Sequence, residues 1–353
     1  MSVSGAGDGS PAPGPASRPF GDRLAAAVAT RESQIVLGID PDPARLWPGP
    51  LDRTSVARAA LAQALATAHE AARGVAAGEH AAEEAAVGAD LAVNPAALEA
   101  GAAVLAHCIA LIDAAAPACV AAKPQLATFE RLGFAGALAL EATCAHARAA
   151  GLLLLADGKR GDVPVTALAY GQALVGSTPS PFGAVPGLGA DAFTANPLLG
   201  RDALAPLVEL ARTAGAGTFI LVRTSNPGAA DLMDLRLEGG EPLWERLAAL
   251  VAELGETGEE GLADVGAVTG ATAPQHLARM RELMPSAPFL LPGVGAQGGD
   301  VAALAPAFAP GRAGGLVTAS RSIARAHEQA GGGPAAAARA EAERLREVAW
   351  ALA

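Results

Sequence analysis

The sequence predicts a closed (β/α)8 barrel, the TIM-barrel architecture, on three observations. Short apolar runs recur eight times along the chain, and each is followed by a stretch rich in Ala, Leu, Glu and Arg at helical spacing. The runs are continuous rather than alternating, as parallel strands require when helices cover one side and packed side chains fill the other. An open, doubly wound sheet fits the same pattern and is the competing architecture. In a barrel the functional residues gather at the C-terminal ends of the strands.

Residues 1–18 are Gly, Pro, Ser and Ala with almost no charge, and read as a disordered leader before a single barrel domain over 19–353. The leader lacks the basic and apolar regions of a secretory signal, so a cytoplasmic location is expected. The eight strands are expected at Ile35–Asp40, Ala118–Lys123, Leu152–Asp157, Ala192–Asn196, Thr218–Arg223, Val265–Thr269, Pro288–Pro292 and Gly315–Ala319. Two stretches exceed a minimal barrel. An alanine-rich segment of about 68–103, with Glu79, Glu83 and Glu84, reads as a helical insert between strands one and two. A Pro/Gly-rich connection over Gly176–Gly189 leads into strand four on the bottom face.

With 353 residues, 51% of them hydrophobic, the chain has ample material for a core. A formal charge of -11 repels polyanions, so neither nucleic acid nor an anionic membrane is expected as a partner, and any anionic ligand must be held locally. No uninterrupted apolar run approaches 18 residues, which argues against a membrane span. Three cysteines without C-x-x-C spacing and six histidines without ligand spacing give no metal site. Of the 25 basic residues only two, Lys123 and Lys159, are lysines. Surface charge is served equally well by Arg, so these two are candidates for chemistry that needs an ammonium or a transferable proton.

The strongest signal follows the third strand, where Asp157-Gly158-Lys159-Arg160-Gly161-Asp162 succeeds four leucines. Residues i and i+2 share a strand face, so Asp157 and Lys159 both point into the barrel mouth if the chain stays extended that far. Neighbouring carboxylates then favour the charged form of the lysine. The plainer reading makes Asp162 the N-cap of a helix that begins at Pro164. Asp40 ends the first run and Lys123 the second. Arg223-Thr224-Ser225-Asn226-Pro227-Gly228 follows the fifth with groups suited to a polar ring edge. After the seventh run, Pro292-Gly293-Val294-Gly295-Ala296-Gln297-Gly298-Gly299 lets backbone approach an anion, and Arg321 after the eighth stands beside it. The latter two loops are the usual phosphate site of a barrel, so Gln297, Arg321 and backbone amides are expected to bind a phosphate monoester. The same glycines match G-x-G-x-x-G, but no acid follows about 20 residues on to take a ribose, which argues against a dinucleotide.

Together these residues resemble the orotidine 5'-monophosphate decarboxylase family, in its longer bacterial (type 2) branch. The resemblance rests on Gly38-Ile39-Asp40-Pro41-Asp42-Pro43, Lys123-Pro124, Asp157-x-Lys159-Arg160-x-Asp162, Asn196-Pro197, Thr224-Ser225-Asn226-Pro227-Gly228, Pro292 to Gln297 and Arg321-Ser322. It implies decarboxylation of orotidine 5'-monophosphate to uridine 5'-monophosphate, the last step of de novo pyrimidine synthesis, by a homodimer that uses no cofactor and no metal. It further implies that Lys159 stabilises and protonates the carbanion at C6, with Asp157 beside the departing carboxylate. Asp40 and Lys123 would meet the ribose, and Asp162 and Thr166 would be lent across the dimer interface. Ser225 would hold the pyrimidine, with Gln297 and Arg321 on the phosphate. Gln125, Thr128 and Ser320 depart from the family pattern and are read as touching none of the charged tetrad Lys123, Asp157, Lys159 and Asp162. A Mg2+-dependent sugar-phosphate decarboxylase or synthase on a related phosphate-binding barrel is the alternative.

Overall fold

The computed structural model describes residues 18–48, 59, 63, 94–295 and 298–352. Eight parallel strands close into a barrel: β1 (Ile35–Ile39), β2 (Ala121–Pro124), β3 (Leu153–Arg160), β4 (Ala192–Ala195), β5 (Gly217–Arg223), β6 (Val265–Thr269), β7 (Phe289–Leu291) and β8 (Gly315–Ala319). Each pairs with its neighbour in sequence, and β8 closes on β1 with Val36 opposite Thr318. The open sheet is therefore excluded, and the expected strands lie within a few residues of the observed ones.

Side-chain parity divides the strands into two faces. Val36, Ala121, Leu155, Ala192, Phe219, Leu290 and Leu316 fill the interior. Ile35, Leu37, Ala122, Leu154, Phe193, Ile220 and Val317 face the helices. The helix Phe20–Arg31 belongs to the interior cluster through Phe20, Leu24 and Val28, and so closes the lower end. Phe20 meets Phe219 edge-on with ring centroids 5.9 Å apart. A Cβ at Gly217 would stand 2.3 Å from the Phe20 ring, so only glycine admits this plug.

The helix Pro95–Ala115 starts at Asn94, whose side chain accepts the Ala96 N–H. Residues 95–103, the end of the expected insert, are therefore the first turns of this barrel helix. Residues 68–93 of that segment, its three glutamates included, and leader residues 1–17 lie outside the described residues. By length and composition Pro95–Ala118 could cross a membrane, although it holds no uninterrupted apolar run of 18 residues. Here half of it is buried, with Val104, Cys108, Leu111 and Ile112 in the outer core. The Gly176–Gly189 connection carries a two-residue antiparallel ladder between Ser177–Thr178 and Val185–Pro186. Cys108, Cys119 and Cys144 are free and buried, and burial pushes each thiol up to about 12.

The lower rim is tied by arginines that donate to the segments entering the strands. Arg31 reaches Ala116 O, Cys119 O and Ala150 O at 2.9, 3.1 and 2.7 Å. Arg23 pairs with Asp191 and donates to Gly215 O. Arg212 holds Asp264 at 2.6 Å. Arg281, 9% exposed, lies over the Phe289 ring and donates to Met284, Ala287, Ala307 and Gly314 carbonyls at 2.6–3.0 Å. Burial brings its guanidinium down to about 10.

Candidate active site

Parity that makes the lower halves of the strands apolar inside carries polar side chains to the same face at the top. Lys123 follows Ala121, Asp157 follows Leu155, Thr194 follows Ala192 and Thr318 follows Leu316, each two residues on. They open into a cavity of about 320 Å3 at the C-terminal ends of the strands, which Asp40, Lys159, Ser225, Asn226, Gly293 and Arg321 also line.

Asp157 is the hub. Its Oδ2 accepts from Lys123 Nζ at 2.5 Å and from Gln125 Nε2 at 3.3 Å. Its Oδ1 accepts from Lys159 Nζ at 2.6 Å and from Thr194 Oγ1 at 2.9 Å. Burial alone would raise this carboxyl, but the charges and hydrogen bonds of Lys123 and Lys159 carry it well below the usual carboxylate range. Burial works to lower Lys123, and the facing Asp157 and Asp40 outweigh it, so the net direction is upward. The two ammoniums differ in access. The Lys123 side chain is 7% exposed and that of Lys159 40%, which leaves Lys159 as the cation open to a bound molecule.

Lys159 does not arrive there along an extended strand, as the sequence reading required. Between the pairs Ala156–Phe193 and Arg160–Ala195, β3 advances four residues while β4 advances two. In this bulge Lys159 adopts φ +48, a left-handed conformation uncommon for a side-chain-bearing residue. Its N–H, displaced from the ladder, donates to Thr194 Oγ1 at 2.8 Å. Gly158 precedes it, packed so closely that a Cβ would lie 2.8 Å from Leu126 Cδ1. Arg160 follows, paired with Glu130 and over the Tyr170 ring.

Asp162 stands apart from this array within its own chain. It is half-buried, its Oδ1 accepts only the adjacent Val163 N–H at 2.8 Å, and it makes no contact with Lys159 of its own chain. It does not cap the helix Pro164–Leu174 either, since Val163 occupies that position. Thr166 is exposed on this helix and stands clear of the cavity. Gln297 lies outside the described residues. Around it, loop seven folds back through Gly295 N–H to Gly299 O at 3.0 Å, with Gly295 at φ +70.

One of the three residues read as clear of the charged tetrad touches it, and a second bonds Asp40 beside it. Gln125 joins Asp157, and Ser320 Oγ donates to Asp40 Oδ2 at 2.7 Å. Thr128 stays local, donating to Gln125 O at 2.7 Å. Ser320 also explains Gly38, where a Cβ would lie 2.6 Å from the serine Cβ. Thr194 was overlooked altogether. Its signal was a lone hydroxyl at inward parity in an otherwise apolar run. Among the described residues no three His, Cys, Asp or Glu side chains are grouped to hold a metal ion.

Residues 86–339 match the model of the orotidine 5'-phosphate decarboxylase / HUMPS family. The chain belongs to this family. The matched span contains Lys123, Asp157, Lys159, Asp162, Thr166, Ser225, Gln297 and Arg321, and Asp40 precedes it. Within the family, the chain is 44% identical over 218 residues to an orotidine 5'-phosphate decarboxylase from Deinococcus radiodurans, covering 60% of this chain and 74% of the relative. It is 38% identical over 315 residues to one from Haloarcula marismortui, covering 88% of each. A solved structure of a Streptomyces avermitilis protein taken to be the same decarboxylase superposes with a TM-score of 0.68 at 30% identity, over 96% of both chains.

Proposed function

We propose that this family member decarboxylates orotidine 5'-monophosphate to uridine 5'-monophosphate, closing de novo pyrimidine synthesis, and that Lys159 carries the chemistry. The observation behind this reading is the array Lys123–Asp157–Lys159, two ammoniums on one carboxylate at the mouth of the barrel. As the C6–carboxylate bond breaks, carbon dioxide leaves and the electron pair stays on C6, in the plane of the ring and without an adjacent sink. A Lys159 ammonium aimed at that carbon stabilises the developing anion more than the substrate, whose charge lies farther away. The proton then passes from Nζ to C6, and the neutral amine regains one from water. Asp157 holds the ammonium in place before substrate arrives, so little reorganisation is left for the reaction itself.

Asp40 and Lys123 fit the ribose hydroxyls, Ser225 the pyrimidine edge, and Arg321 with Gln297 the phosphate. The two cations on Asp157 leave neither of its oxygens free for a divalent metal, which favours this reading over a Mg2+-dependent sugar-phosphate enzyme. Asp162 and Thr166 fit a role across a homodimer interface. They lie beside exposed Val163, Val165, Leu168, Leu198 and Leu199, and Asn196 N–H to Arg160 O ties the ends of β3 and β4 from which these segments lead. A cytoplasmic location suits such an enzyme. The test follows ultraviolet absorbance of orotidine 5'-monophosphate in the presence of EDTA, over a dilution series. Turnover that ignores EDTA and falls as the dimer dissociates is expected. Activity only on a sugar phosphate with added Mg2+ would replace this function, and a fully active monomer would remove the shared role of Asp162.

A further inference from the structure

We infer that Thr194 is a positioning residue that holds both ends of Lys159 through a single hydroxyl. This rests on the reading of Lys159 as the group that meets C6. The direction of each bond follows from the chemistry of the partners. The Lys159 N–H can only donate, so Thr194 Oγ1 accepts it at 2.8 Å. The one hydroxyl proton is then free for an acceptor, and Asp157 Oδ1 takes it at 2.9 Å. That same oxygen accepts Lys159 Nζ at 2.6 Å. Lys159 backbone, Thr194 hydroxyl, Asp157 carboxylate and Lys159 ammonium thus form a closed ring around one side chain.

The ring stands where the barrel ladder fails. The two extra residues of β3 opposite β4 deprive the Lys159 N–H of a carbonyl partner, and φ +48 turns it toward β4. Thr194 lies opposite the bulge, between the paired residues Phe193 and Ala195, on the inward face and 1% exposed. Its hydroxyl is almost wholly enclosed by these partners. Without Oγ1 the left-handed turn loses the hydrogen bond that holds it, and Asp157 loses the donor that fixes which way Oδ1 faces. Both changes move Nζ. Since a displacement of about 1 Å can cost about a hundredfold in rate, the hydroxyl bears on turnover without touching the substrate.

Thr194→Val keeps the branched shape and removes the hydroxyl, whereas Thr194→Ser keeps the hydroxyl. The chain has only two lysines, so labelling with lysine carrying 13C at Cε yields two resonances, and Lys159→Ala assigns them by removing one. In the valine variant kcat is expected to fall about 10- to 100-fold, with KM within about threefold of the parent. The Lys159 resonance should move, and serine should restore both the rate and the resonance. Should valine prevent folding, Thr194→Ala carries the same expectation. A kcat within threefold of the parent, a rate loss with the Lys159 resonance unmoved, or failure of serine to rescue would each overturn the inference. If the unaltered protein fails to turn over orotidine 5'-monophosphate, the proposed function falls, and the resonance still decides whether Thr194 places Lys159.

Discussion

Two sets of cations at opposite ends of the barrel, Arg281 and Arg31 below and the two lysines above, are held in opposite ways. At the lower rim Arg281 is enclosed by neutral carbonyls and an aromatic face, and Arg31 likewise bonds only carbonyls of the segments entering β2 and β3. At the upper rim the two lysines face a carboxylate, and one of them remains open to the cavity. The guanidinium has five fixed donors and a high proton affinity, so it suits permanent stitching of chain segments. The ammonium is a compact charge that can approach a reacting atom and release a proton. The arginines of the lower rim thus hold the barrel closed, while both lysines of the chain stand at its mouth.

Lys159→Ala is expected to lower turnover by at least about 10^4-fold while unfolding free energy changes by less than about 1 kcal/mol. Loss of stability as large as the loss of activity would make the upper array a structural feature. Arg281→Met should do the reverse. It strands four short hydrogen bonds to buried carbonyls, and chemical denaturation should register a loss of about 3–5 kcal/mol, with kcat of the folded protein unchanged. A smaller stability loss accompanied by altered turnover would erase the distinction between the rims.

After the loop that follows β1, Trp47 N–H donates to His107 Nδ1 at 3.2 Å, an arrangement only the neutral imidazole can accept. Burial, aided by the charge of His327, lowers His107 to about 4. The unfolded chain binds this proton near pH 6.5 and the folded chain does not, so stability is complete above pH 6.5 and declines as pH falls toward 4. The linkage amounts to about 3 kcal/mol. Urea midpoints measured across that window should fall, and His107→Asn, whose Oδ1 can take the Trp47 N–H, should flatten the slope. The smallest effect concerns Ser320→Ala, which frees one oxygen of Asp40 and should raise KM about tenfold with kcat little changed. An unchanged KM would mean that Asp40 is placed without its serine partner.

Much of this was legible from strand parity. Ala121 with Lys123 and Leu155 with Asp157 are pairs two residues apart, and an interior apolar residue followed by a charge at the strand end places that charge at the mouth. The bulge was not legible, because it is a mismatch between two strands and no single segment records it. Its consequence, Lys159 at φ +48, was hidden for the same reason. Thr194 escaped attention since one hydroxyl among apolar residues is ordinarily a satisfied core group. Gln125 and Ser320 were judged against a pattern, whereas their contacts depend on how neighbouring strands bring Asp157 and Asp40 to them. The arginine staples bond backbone carbonyls, and carbonyls are present at every residue, so sequence alone does not single out the acceptors.

If the Lys159 ammonium hands a proton to C6, the same ammonium must take part in the reverse exchange. In deuterated water, saturating protein should exchange the C6 hydrogen of uridine 5'-monophosphate, followed by the decay of its proton resonance. With Lys159→Ala, which keeps the phosphate contacts, that exchange should vanish while the nucleotide still binds. Exchange at the parent rate in the variant would contradict the account.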